Sequence, residues 1–203
     1  MLLELDTSQL VLIDYQARLL PAVLDAPLAV ANAVRLARMA SVLKVPVFFT
    51  EQNPSKLGST VAELQDALVA AGARMLAKMQ FSAVEEGLGD WLRPPARPIQ
   101  GNARSLPRHL QKPSEAPARD TIVIAGWETH VCLLQTAMDL LEDDFSVWVV
   151  ADACGARALR SSDAAFDRLA GAGAELVTTE MVAFEWLRSA EHPSFRAVQA
   201  LIK

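Results

Sequence analysis

Short apolar runs alternate with stretches of helical period along almost the whole chain, and this alternation restricts the fold more than any other feature. Leu10–Asp14 (LVLID) reads as a buried strand. From Pro27 the pattern turns helical, with Leu28, Val30, Ala31, Val34, Leu36 and Leu43 spaced to pack on a sheet. Val45–Thr50 is a second strand, and Thr60–Ala71 a helix that stops near Gly72 as a C-cap would. Arg74–Lys78 reads as a short third strand and Ala83–Leu92 as a helix. Thr121–Ala125 is a strand, and Thr129–Glu142 a helix with Thr129 as its N-cap. Phe145–Ala151 is a strand, Ser161–Ala170 a helix with Gly171 beyond it, and Glu175–Val177 a short strand. Met181–Ser189 is helical, and so is the tail. Strands alternating with helices mean βαβ units, right-handed connections and a parallel sheet. The expectation is an α/β, doubly wound, mainly parallel six-stranded sheet of order 3-2-1-4-5-6.

The one interruption is residues 93–119, RPPARPIQGNARSLPRHLQKPSEAPAR, rich in proline and polar residues. It reads as a surface loop inside one domain spanning 1–203, because the halves on either side belong to one sheet pattern. Such a loop serves as a lid or partner contact, or is a tolerated insertion.

Composition narrows the function classes. The chain has 203 residues, a net charge of −5 and no Lys/Arg block, which argues against a nucleic-acid surface. Charges and prolines break the apolar stretches short of the ~20 residues that span a bilayer, so no membrane partner is expected. MLLELDTSQL lacks a basic region followed by a long apolar stretch. Two cysteines, Cys132 and Cys154, make a poor disulfide scaffold. The expected location is cytoplasmic, with reduced thiols.

In the expected strand order the strand ending at Asp14 lies beside the one ending near Gly126, and their carboxyl ends form the crevice where doubly wound folds bind ligands. Asp14 and Cys132 would then face one site. Cys132 falls in the first turn of a helix, where exposed N–H groups and the dipole favour a thiolate. Packing is the other reading of this cysteine. Asp14 suits a general base, and equally an ordinary aspartate at a strand end. Lys78 alone reads as a surface charge; the company of Asp14 and Cys132 makes it a candidate cation.

Other signals are plainer. Cys154, in ADACGAR, lies one strand further from Asp14 and reads as structural. His130 sits two residues before Cys132, so a Cys–His dyad is not expected, and a place on the pocket wall is the simpler reading. His109 and His192 read as surface residues. GAGAEL at Gly171 follows a helix and precedes a strand, the reverse of a dinucleotide cradle.

Several motifs together resemble a known family. DYQARLLPAV after the first strand, TEQNPSKLGST after the second, KMQFSA, GWETHVCLLQTAMDLL and VVADACGAR, in that order, are similar to the isochorismatase-like cysteine hydrolase superfamily, through EMVAFEWL to FRAVQALIK. The similarity is greatest to the branch called isochorismatase domain-containing proteins. The resemblance implies a three-layer αβα fold and an Asp14–Lys78–Cys132 triad. It also implies a cis Trp127–Glu128 peptide and an oxyanion hole from the N–H groups of Glu128 and Cys132. Leu19, Gln52, Phe81, Trp127 and Val131, beside these motifs, are the candidates for the substrate pocket. The nicotinamidase branch has an Asp/His metal site after the second strand; TEQNPSKLG has no such ligand spacing, so neither metal nor other cofactor is expected. Relatives of this kind assemble, so a homo-oligomer acting on a small molecule is implied.

The leading expectation is a cysteine hydrolase cutting a small amide-like C–N bond through a thioester. The alternatives are a redox-sensing or ligand-binding protein without turnover, a vinyl-ether hydrolase of the isochorismate type, and a nucleotide binder, which the missing phosphate loop disfavours.

Overall fold

A computed structural model describes residues 1–94 and 119–203. The proline-rich segment lies for the most part, and His109 entirely, outside the described residues. Both flanks of that segment are tied to the first strand: Gln9 Nε2 donates to the carbonyls of Leu92 (2.9 Å) and Arg119 (2.6 Å).

Six parallel strands form one sheet: β1 (Ser8–Ile13), β2 (Val47–Gln52), β3 (Arg74–Lys78), β4 (Thr121–Gly126), β5 (Ser146–Val150) and β6 (Glu175–Val177). Their order is β3-β2-β1-β4-β5-β6, the doubly wound order expected from the sequence. Every residue of β1 is buried, as a central parallel strand requires.

Alternate residues of the strands build two cores. On one face Leu10, Leu12, Val123 and Ala125 pack with Leu36, Leu64, Trp186 and Val198. These side chains come from α1 (Ala26–Leu43), α3 (Ala62–Ala70), α7 (Thr179–Leu187) and α8 (Phe195–Ile202). On the other face Val11, Ile13, Ile122 and Ile124 pack with Leu88, Leu140 and Leu169. Those belong to α4 (Leu88–Leu92), α5 (Leu134–Glu142) and α6 (Leu159–Gly171). Helices therefore cover both faces in three layers. Each fully buried Leu or Met contributes about 1.5–3 kcal/mol, so the cores carry the stability.

Helix α1 has 18 residues and a mean hydropathy of 1.2, long and apolar enough by length and composition to cross a membrane. Sequence reading had counted no stretch of that kind. Here Ala33, Leu36, Ala37, Met39 and Ala40 of α1 are fully buried, against the sheet and its neighbouring helices.

Two local expectations are corrected and one element is added. Ala83–Leu92 is not one helix: a 3₁₀ turn, Val84–Glu86, is separated from α4 by Gly87 at φ +91°. A short helix α2 (Pro54–Leu57), nested in TEQNPSKLG, escaped the sequence reading. Thr129 is not a helix cap. Its hydroxyl donates to the Gly155 carbonyl (2.9 Å), and the chain runs through a π-turn, Thr129–Leu133, before α5.

Candidate active site

The carboxyl ends of β1, β2, β3 and β4 converge on one buried cluster. Asp14 follows β1 directly and holds φ +52°, a left-handed conformation that costs a non-glycine residue roughly 1–2 kcal/mol. Its Oδ1 accepts from Thr50 Oγ1 at 2.7 Å. Its Oδ2 lies 2.8 Å from Lys78 Nζ, with both side chains at 0% exposure. Oδ2 accepts no hydrogen bond among the described residues, so its contact with Lys78 is an ion pair.

Lys78 ends β3 and points inward. Its ammonium, ion-paired with Asp14, donates to Gln52 Oε1 (2.7 Å) and to the carbonyls of Phe81 (3.0 Å) and Gln80 (3.3 Å). The solvated surface charge that its position alone suggested is thus a fully coordinated buried ammonium. Burying such a pair costs desolvation, which the hydrogen bonds of Lys78 and the Thr50 bond to Asp14 Oδ1 offset in part.

Cys132 is carried by the π-turn that follows β4. Its Sγ lies 4.0 Å from Gln52 Oε1, and the Asp14 and Lys78 charges both act on the thiol. Burial, then the Asp14 charge, push the thiol up to about 12 against the opposing pull of Lys78. The thiolate favoured by a helix start is therefore not the resting form. Burial on the sheet outweighs the dipole of a first turn.

The path of the chain before Cys132 depends on Gly126, at φ +149°, where a Cβ would run into the Ile13 carbonyl. The next peptide, Trp127–Glu128, is cis. Glu128 N–H has no acceptor among the described residues. The Glu128 carboxylate pairs with Arg157 Nε at 2.6 Å.

The candidate pocket residues separate. Gln52 and the Phe81 main chain sit on Lys78, while the Phe81 side chain is 51% exposed. Val131 packs in the same core as Cys132. Leu19 and Trp127 belong to the opposite core, and Trp127 is fully buried against Tyr15, ring centroids 5.0 Å apart. Trp127 therefore does not line an open pocket. The parity of β4 carries the signal that places it: Val123, Ala125 and Trp127 continue one face past the strand end. Thr50 was missed as well; nothing in VFFTEQ marks its hydroxyl.

His130 borders a cleft of about 510 Å³ together with Gln80, Phe81, Ser82, Glu85 and Arg168. Cys154 Sγ donates to Val150 O at 3.2 Å, and burial pushes this thiol to about 12 as well. Among the described residues no three His, Cys, Asp or Glu side chains converge as metal ligands.

A family model described as "Isochorismatase domain" matches residues 8–98 and 106–181. The chain belongs to the isochorismatase-domain family. A mouse relative, isochorismatase domain-containing protein 2A, is 35% identical over 198 residues, covering 98% of this chain and 84% of its own length. Among solved structures, the MAR1 ribonuclease of Caenorhabditis elegans superposes with a TM-score of 0.84 at 29% identity, over 100% of this chain and 92% of that one. The YcaC gene product of Escherichia coli, described as an octameric hydrolase of unknown specificity, superposes with a TM-score of 0.76 at 24% identity, over 98% and 95%. The isochorismatase-like hydrolase fold, with its parallel sheet in the order above, accounts for the described architecture.

Proposed function

We propose that this isochorismatase-domain protein is a cysteine hydrolase that cleaves a small amide-like C–N bond through a thioester on Cys132. The observation that carries the reading is the buried Asp14–Lys78 pair, 2.8 Å apart, beside the Cys132 thiol. A thiol raised to about 12 needs a base beside it, and the Asp14 carboxylate, whose charge acts on the thiol, supports that role.

Asp14 Oδ2 takes the S–H proton as Sγ attacks the substrate carbonyl carbon. The carbonyl π electrons move to oxygen, where the N–H groups of Glu128 and Cys132 receive the charge. The tetrahedral intermediate collapses, the C–N bond breaks, and Asp14 returns the proton to the departing nitrogen. In the second half a water gives its proton to Asp14 and adds to the thioester carbon. The C–S bond then breaks, and Asp14 reprotonates the sulfur. Lys78 stays protonated throughout, orienting the carboxylate and offsetting the negative charge as it moves.

A redox-sensing role is disfavoured by the same thiol, because sensor cysteines are exposed and of low pKa. Vinyl-ether hydrolysis leaves Cys132 without a task. The octameric E. coli protein supports a homo-oligomer for this chain, and the low cysteine count supports a cytoplasmic location. The net charge of −5 supports neither RNA as substrate nor a nucleic-acid partner, and the packing of α1 supports no membrane partner.

The test is a panel of small amides, ureides and carbamoyl compounds, with a vinyl ether and an RNA oligomer as further arms, on wild type and Cys132→Ala. Release of ammonia or amine, abolished in Cys132→Ala, with an acyl adduct on the wild type by intact mass, is the expected result. Turnover of the vinyl ether or RNA by Cys132→Ala at the wild-type rate would overturn the reading.

A further inference from the structure

Beyond β1 and β2, a second carboxamide stands behind the first. Strands β1 and β2 pair as far as Ile13 with Thr50, and Asp14 N–H adds a last rung to the Thr50 carbonyl (3.2 Å). At Asp14 the chain then turns away. The Gln52 main chain is thereby left without a strand partner on the β1 side, although on the other side it pairs with Lys78 in β3. The Gln16 side chain fills the missing rung. Its Nε2 donates to Gln52 O (3.0 Å) and Gly58 O (2.6 Å), and its Oε1 accepts from Gln52 N–H (2.8 Å). Gln16 is 0% exposed. A buried carboxamide costs desolvation that an apolar residue would avoid, so its use here needs a task.

The task lies one residue further on. The Gln52 carboxamide is fixed in orientation, because its Nε2 donates to the Met79 carbonyl (2.8 Å), which can only accept. Oε1 must then face Lys78 Nζ (2.7 Å) and the Cys132 thiol (4.0 Å). The charged groups facing that thiol are Asp14, from the end of β1, and Lys78, from β3.

We propose that Gln16 is a positioning residue: by completing the β1–β2 ladder around Gln52 it holds the Gln52 carboxamide on Lys78, and so fixes the Asp14–Lys78 pair against Cys132. This rests on the reading of those three residues as one reacting unit. Gln16 touches no reacting atom; it acts through Gln52 and Lys78.

The experiment reads Cys132 alkylation, which needs no substrate. Wild type and Gln16→Met are treated with iodoacetamide at pH 9, and Cys132 labelling is followed by peptide mapping. The pair is then compared again in an Asp14→Asn/Lys78→Met background. Gln16→Met is expected to change the labelling rate about tenfold, the change in thiolate fraction for one pKa unit, because it shifts the balance of the opposing Asp14 and Lys78 charges on the thiol. The effect is expected to vanish where the ion pair is gone. A merely structural role would alter access to the thiol equally in both backgrounds, and an equal change, or none in wild type, overturns the proposal. If Gln16→Met does not fold, Gln16→Glu, which keeps the acceptor for Gln52 N–H, is read the same way. Failure of the hydrolase reading would appear separately, in the substrate panel, and leaves this comparison intact.

Discussion

Lys78 Nζ and Asp14 Oδ2 lie 2.8 Å apart with neither side chain exposed to solvent. Removing one partner leaves an uncompensated charge in the interior, at a cost of about 3–5 kcal/mol. Lys78→Met and Asp14→Asn are therefore each expected to lower unfolding stability strongly, and Asp14→Asn/Lys78→Met to recover most of the loss. Urea denaturation of the three variants checks this. A double variant as unstable as the sum of the singles would contradict it.

The two thiols are expected to react slowly at neutral pH, since burial raises both to about 12. Below that value the rate of Cys132 alkylation should climb about tenfold per pH unit, as the thiolate fraction does. Iodoacetamide labelling from pH 7 to 10 with peptide mapping reads the slope. A plateau below pH 8 would mean a thiolate at rest.

Glu86 holds the loop that follows Lys78: its Oε1 accepts from Met79 N–H (2.8 Å) and Gln80 N–H (3.0 Å). The Gln80 and Met79 N–H groups, followed by the Lys78 charge, lower its pKa. A depressed carboxyl stabilises the fold above its unfolded pKa, and that contribution is lost as pH falls through the folded value. Wild type should therefore melt above Glu86→Gln at pH 7, and the gap should narrow at pH 3. An equal gap at both pH values would contradict the assignment.

Gly126→Ala is expected to destabilise by roughly 1–3 kcal/mol from backbone conformation alone, with the clash against the Ile13 carbonyl added. Because the turn to Cys132 starts here, labelling of Cys132 should change with it. Wild-type melting and labelling in Gly126→Ala would show that the turn does not depend on this glycine.

What the sequence makes legible follows from how far each signal reaches. The runs LVLID, VPVFFT, TIVIA and FSVWVVA are buried on both faces, so their apolar character alone marks them as strands, and their alternation with helices sets the sheet order. Asp14 and Cys132 stand at a strand end and a turn, where a topology rule reaches; Lys78 comes in only through their company and the family resemblance. Thr50 and Gln16 do not stand out, because a neutral polar residue has no period and its value depends on a neighbour 36 residues away in each case. The π-turn at Thr129–Leu133 is hidden for a related reason: it shifts the helix phase by one residue without altering composition. The upward shift of the Cys132 thiol is hidden too: a helix start shows in sequence, whereas burial and the Asp14 charge brought across the sheet do not.

The account stands or falls on whether Asp14, Lys78 and Cys132 act as one unit, and single-turnover acylation of wild type, Asp14→Asn, Lys78→Met and the double variant measures that directly. Loss of a positioned base typically costs on the order of 10²–10⁴ in rate. Each single change is expected to fall in that range, and the double to be little worse than the poorer single, since members of one catalytic set do not add. Circular dichroism confirms that each variant is folded. Near-wild-type acylation in folded Lys78→Met, or losses that multiply independently in the double variant, would contradict the coupled site.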